Sequence, residues 1–266
     1  MDQFFWYTSS MKKESVMKQS QAKKRDNAMT NKILMGLIAL VLGLLFLEIL
    51  IVHSKNEQQK NASNQVQTAR IMANGDLLYH DGLYMSALQS DGSYDFTENF
   101  TYVKPWLKQA DLVLGDFEGT INPDYPLSGY PLFNAPQSVT AAIKDAGYDV
   151  MDLAHNHILD SGLEGAFTTA DALKKVGIDP IGVYEKPVRD KAPLLIKNVN
   201  GIKVAILSYA YGYNGLESNL TDKEVADHLS NLDEKRMKSE IQRAEKEADI
   251  TVIMPQMGVE YRLEPT

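Results

Sequence analysis

Hydrophobic positions along the chain fall into three regimes. Residues 33–52 read ILMGLIALVLGLLFLEILIV, an apolar run whose single ionisable group is Glu48. At about 1.5 Å of rise per residue, a helix of this length covers the roughly 30 Å hydrocarbon core of a bilayer. A buried core helix would carry a polar stripe, and this run has none. A cleaved signal peptide would have a shorter apolar region followed by small residues. The run is therefore read as an uncleaved membrane anchor. Residues 53–69 are polar, rich in Gln, Asn and Ser and without apolar period, as expected of a flexible linker.

From Arg70 onward, short apolar segments alternate with amphipathic ones. The pattern predicts strands over 70–74, 111–115, 149–154, 178–183, 193–198, 203–209 and 249–254, and helices over 99–109, 137–146, 163–176 and 233–247. Gly147 and Gly177 fall where a helix would stop just before a strand. Such alternation predicts an α/β fold with much parallel sheet. The Asn200-Gly201 pair predicts a hairpin between the fifth and sixth strands. The expected organisation is a basic tail (1–32), a transmembrane anchor (33–52), a linker (53–69) and a layered α/β domain (70–266).

Charge orients the chain. Seven cations (Lys12, Lys13, Lys18, Lys23, Lys24, Arg25 and Lys32) precede the apolar run, and only Lys55 and Lys60 follow it before Arg70. Positive flanks stay in the cytoplasm, so the expected topology is single-pass in the cell membrane, N-terminus inside and domain outside. With 44% hydrophobic and 23% charged residues, wholesale disorder is excluded. The absence of Cys excludes disulfides, Cys-ligated metals and thiol nucleophiles. From Arg70 onward, 18 basic residues stand against 30 acidic ones, a net charge of −12. A phosphate backbone needs a basic footprint, so nucleic acid is not expected as a partner.

Polar residues gather where the first three strands end: Asn74-Gly75-Asp76, Gly115-Asp116-Phe117-Glu118, and His155-Asn156-His157-Ile158-Leu159-Asp160. Open α/β sheets bind ligands at the carboxyl ends of their strands. Carboxylates and imidazoles collected there suit a divalent ion such as Mn, Fe, Zn or Mg. Each cluster also has a plainer reading, as a turn, a helix cap or a hydrogen-bonded histidine. Their recurrence at three successive strand ends favours a site.

Those residues, with Phe133-Asn134-Ala135-Pro136 and the segment from Gly201 to Gly215, resemble the bacterial capsule-synthesis family of the CapA or PgsA type. The resemblance implies a calcineurin-like metallophosphatase fold and a part in assembling a poly-gamma-glutamate capsule beside other membrane subunits. It makes Asp76, Asp116, Glu118, Asn156 and His157 metal ligands, with His157 and Asp160 catalytic if the chain is a hydrolase acting on an anionic polymer or phosphoester. Gln256-Met257-Gly258 stands where the family usually has His-Trp-Gly, and the chain stops before a later His-rich motif. The chain is therefore expected to be a C-terminally truncated member that holds one ion rather than two, without appreciable phosphoesterase turnover.

Overall fold

The computed structural model describes residues 25, 29, 32, 34–38, 40–55, 66–188, 191–259, 262 and 264. Most of the basic tail and of the linker, and both Glu260 and Tyr261, lie outside the described residues. The chain divides into two units, Met1–Val66 and Gln67–Thr266.

The first unit contains helix α1, Leu34–Lys55, whose mean hydropathy reaches 2.8 with none of the apolar window buried. By length and composition it can cross a membrane, a test that a signal sequence also passes.

The second unit is built on two sheets. Strands β1 (Ile71–Asp76), β2 (Leu112–Asp116), β3 (Val150–Asp152) and β4 (Asp179–Ile181) form a parallel sheet in that order. Strands β5 (Leu195–Val199), β6 (Ile202–Ala210) and β7 (Ile250–Gln256) form the second, with β5 antiparallel and β7 parallel to β6. The described helices are α2 (Asp81–Ser86), α3 (Lys104–Leu107), α4 (Val139–Ala146), α5 (Gly162–Lys175), α6 (Asp222–His228) and α7 (Glu234–Glu247).

The two-residue period of the strands explains the layering. On β2, Leu112 and Leu114 join Val150, Ile181, Val199, Val204 and Ile206 in a core between the sheets. Val113 points the other way, into the core shared with Val139 and Ile143 of α4 and Leu173 of α5. On β6, Val204 and Ile206 face the first sheet, while Ala205, Leu207 and Tyr209 face α7 through Ala244. Helices, sheet, sheet and helix therefore stack as four layers. Each fully buried aliphatic side chain stabilises this stack by about 1.5–3 kcal/mol. Just past β4, Gly182 (φ +94°) is closed in on two sides: a Cβ there would lie 2.6 Å from the Ala154 nitrogen beyond β3 and 2.9 Å from Ser208 Oγ on β6.

The α/β fold with a parallel sheet stands as predicted, as does the hairpin: Asn200 and Gly201 take φ of +53° and +89° between β5 and β6. The helix expected over 99–109 does not form as one element. A 3₁₀ turn over Thr97–Phe100 gives way to the short α3, with Pro105 in its first turn. Proline has no N–H to donate and fits only near a helix start, which splits the segment. Helices α2 and α6 escape the pattern because seven or fewer residues hold too little apolar period.

Candidate metal centre at the strand ends

Parallel pairing aligns the finishing ends of three strands. Asp76 pairs in register with Asp116, and Asp116 with Asp152. Past β2 the backbone still pairs with β3, Phe117 N–H donating to the Asp152 carbonyl, and Glu118 follows Asp116 by two residues, the spacing that sets both on one side of an extended chain. One carboxylate oxygen from each of Asp76, Asp116 and Glu118 lies within 4.8 Å of the others. Asp76 is exposed, whereas Asp116 and Glu118 are buried.

Burial first, then the neighbouring charges of Asp152, Glu118 and Asp76, together raise the Asp116 pKa to about 9. Every charge that acts on Asp116 is therefore negative. Its Oδ1 is buried without a hydrogen-bond partner. An orphaned carboxylate oxygen among like charges is costly in a protein interior and is relieved by a cation. Three converging oxygens are the donor set that hard or borderline divalent ions take, so these residues fit such an ion.

The loop after β3 sets imidazoles beside the trio. The Nδ1–H of His157 donates to Asp160 Oδ2 at 2.8 Å, which leaves Nε2 facing Glu118 Oε1 at 4.0 Å. The same Asp160 oxygen accepts from the Phe133 nitrogen at 2.6 Å, and the Phe133 ring packs edge-on to His157 at 4.8 Å. His157 is thus fixed at one nitrogen and presented at the other. His155 is fully buried, and burial drives its pKa down to about 3, so it stays neutral. Its Nδ1 accepts from the His157 main-chain nitrogen at 3.2 Å, a structural part in the loop.

Asn156 meets the second sheet. Its main-chain nitrogen donates to Gln256 Oε1 and its Oδ1 accepts from Gln256 Nε2, both at 2.7 Å. Its Nδ2 donates to Asn214 Oδ1 at 3.0 Å. The structure thus brings Asp76, Asp116 and Glu118 together with His157 alongside, while Asn156 is engaged by amides from β6–β7 territory. Asp152 was not among the expected site residues. It ends β3 within an apolar stretch of sequence, and the register with Asp116 reveals it; burial raises its own pKa to about 7.

Residues 70–266 match the family "Bacterial capsule synthesis protein PGA_cap", and the chain belongs to that family. It is 30% identical over 176 residues to the capsule biosynthesis protein CapA of Bacillus anthracis, covering 63% of this chain and 42% of that one. It is 25% identical over 260 residues to the PGA biosynthesis protein CapA of Bacillus subtilis strain 168, covering 96% of this chain and 66% of that one. The chain therefore spans less than two thirds of either relative. Among solved structures, a candidate 5'-nucleotidase of Staphylococcus aureus aligns at a TM-score of 0.46 and 15% identity, over 74% of this chain and 39% of that one.

Proposed function

We propose that this chain is a component of capsule polymer assembly, of the poly-gamma-glutamate type, fixed to the cell membrane by α1 with its domain outside. In this reading Asp76, Asp116 and Glu118 hold a divalent ion, and other membrane subunits of the assembly are its partners. Family membership supports the process, and the name of the Bacillus subtilis relative supports the polymer. The cation-rich N-terminal flank supports the topology.

One observation carries the site: three carboxylate oxygens converge within 4.8 Å, one of them from the buried Asp116, whose other oxygen has no partner. A bound divalent ion would supply Lewis acidity and offset the acidic field toward an anionic substrate. The chain's own residues do the rest. Asp160 fixes the His157 tautomer, Phe133 shields that contact, and His157 Nε2 is left free of Asp160 to exchange a proton with a group bound over the trio.

A second reading, an extracytoplasmic metal-dependent phosphoesterase, draws on that same His157, whose Nε2 is presented beside the carboxylate trio, 4.0 Å from Glu118. Two measurements separate the readings. In a capsule-forming host lacking its own copy, the wild-type gene should restore polymer and Asp116→Asn should not. Purified full chain with Mn²⁺ should leave a generic phosphoester intact. Turnover that His157→Ala abolishes would favour the hydrolase instead.

A further inference from the structure

The starting ends of the strands carry a different surface from their finishing ends. Just before β2, around α3, three large apolar side chains face solvent: Tyr102 is 88% exposed, Trp106 65% and Val103 46%. Tyr102 and Val103 lie in the turn that leads into α3, and Trp106 lies within α3. Burial was open to this segment, since Leu107 beside them packs against the main core. Exposed aromatic groups clustered in this way mark a contact surface more often than chance.

Cations flank the patch. Lys108 is exposed, Lys104 pairs with Asp145, and the Arg70 guanidinium donates to the Gln109 carbonyl at 3.3 Å. Asp111 accepts from the Arg70 main-chain nitrogen. Locally, Lys104, Lys108 and Arg70 stand against Asp145, Asp111 and the exposed Glu98, so the patch lacks the acidic excess of a domain whose net charge is −12. Trp and Tyr beside Lys and Arg is the chemistry of a membrane interface, where amphipathic rings sit at headgroup level and cations meet anionic lipid.

The chain path points the same way. Arg70, whose side chain and main chain bond to the end of the α3 segment, is the first residue after the polar linker that follows α1. The linker thus joins the domain beside Trp106. At about 3.3 Å per residue, β1 then carries the chain roughly 20 Å to Asp76 at the opposite end of the sheet.

We infer that the Tyr102–Val103–Trp106 surface, with Lys108 and Arg70, rests on the anionic lipid surface of the membrane that anchors the chain. The inference relies on the membrane reading of α1 in the proposed function. Its consequence is an orientation: the carboxylate trio opens away from the bilayer, toward a polymer outside.

The test uses the full chain in lipid nanodiscs. The sequence has two tryptophans, so Trp6→Phe leaves Trp106 as the sole emitter. Discs are made from phosphatidylcholine with or without phosphatidylglycerol, each with and without a spin-labelled quencher lipid. The expected result is a blue-shifted Trp106 emission that loses most of its intensity to the quencher in phosphatidylglycerol discs. The loss should shrink in phosphatidylcholine alone and with Lys108→Glu. Unquenched emission in both lipids overturns the inference, and equal quenching in both overturns the anionic headgroup as its partner. A blue shift that ignores the quencher and grows with the number of chains per disc assigns the face to a second copy and also overturns it. A chain that enters no disc refutes the membrane reading itself, a failure distinct from the others.

Discussion

Both sheets finish parallel strands at the same site, and they deliver opposite chemistry. Three strands of the first sheet end in carboxylates: Asp76, Asp116 and Asp152 stand in register, with Glu118 two residues past β2. The second ends in amides: Gln256 closes β7, and Asn214 follows β6. The carboxylate edge is electrically unfinished, with an orphaned oxygen and a pKa pushed to about 9. The amide edge is closed, since the Asn156–Gln256 pair uses donor and acceptor on both sides. Unsatisfied charge calls for a ligand, whereas satisfied amides hold a loop in place. In the function proposed above, ion binding falls to the first sheet and positioning of the His157 loop to the second.

The sharpest way to break that assignment is Asp116→Asn. Loss of one charged ligand should weaken Mn²⁺ binding on the order of 100-fold or more, read by calorimetry. The same substitution should raise the melting temperature of the metal-free chain at alkaline pH, because a neutral amide replaces a buried, repelled carboxylate. A variant that binds Mn²⁺ like wild type would remove the trio from consideration.

A pH series sharpens the comparison next. In the folded chain Asp116 keeps its proton to about pH 9, against an ordinary 3.8. Between those values the folded state binds more protons than the unfolded one, so this contribution to stability falls as pH rises. Asp152 acts likewise up to about pH 7. His155 acts in the opposite sense, its contribution lost as pH falls below 6.5, where the unfolded imidazole takes up a proton. Above pH 7, Asp116 is left to act alone among the three. The metal-free melting temperature should therefore drop between pH 7 and 9, and saturating Mn²⁺ should remove the drop. A flat metal-free profile would contradict the charge account.

The smallest effect belongs to the amide edge. Gln256→Ala and Asn156→Ala should each cost about 1 kcal/mol of stability. Their double variant should cost less than the sum, a coupling of about 1 kcal/mol that marks direct contact. Mn²⁺ affinity should stay near wild type in all three. If Asn156→Ala weakened the ion strongly and Gln256→Ala did not, Asn156 would be a ligand and the division between the edges would fail.

Much of this was legible before any coordinates. The Gly-Asp pairs at strand ends, the Asn-Gly hairpin and the short apolar runs of β2 and β6 are local signals, read within a few positions. Three features were not legible. Pro105 split an otherwise periodic segment, Asp152 was masked by its apolar strand, and the Asn156–Gln256 pair joins residues 100 positions apart. Register and long-range contact are properties of the folded sheet, and a single sequence does not encode them as a local pattern.

Anomalous diffraction from crystals of the full chain soaked in Mn²⁺ tests the central claim most directly. A manganese peak among the Asp76, Asp116 and Glu118 oxygens is the predicted result. A peak lodged instead between Asn156 and Gln256, or no peak at any strand end, would contradict it.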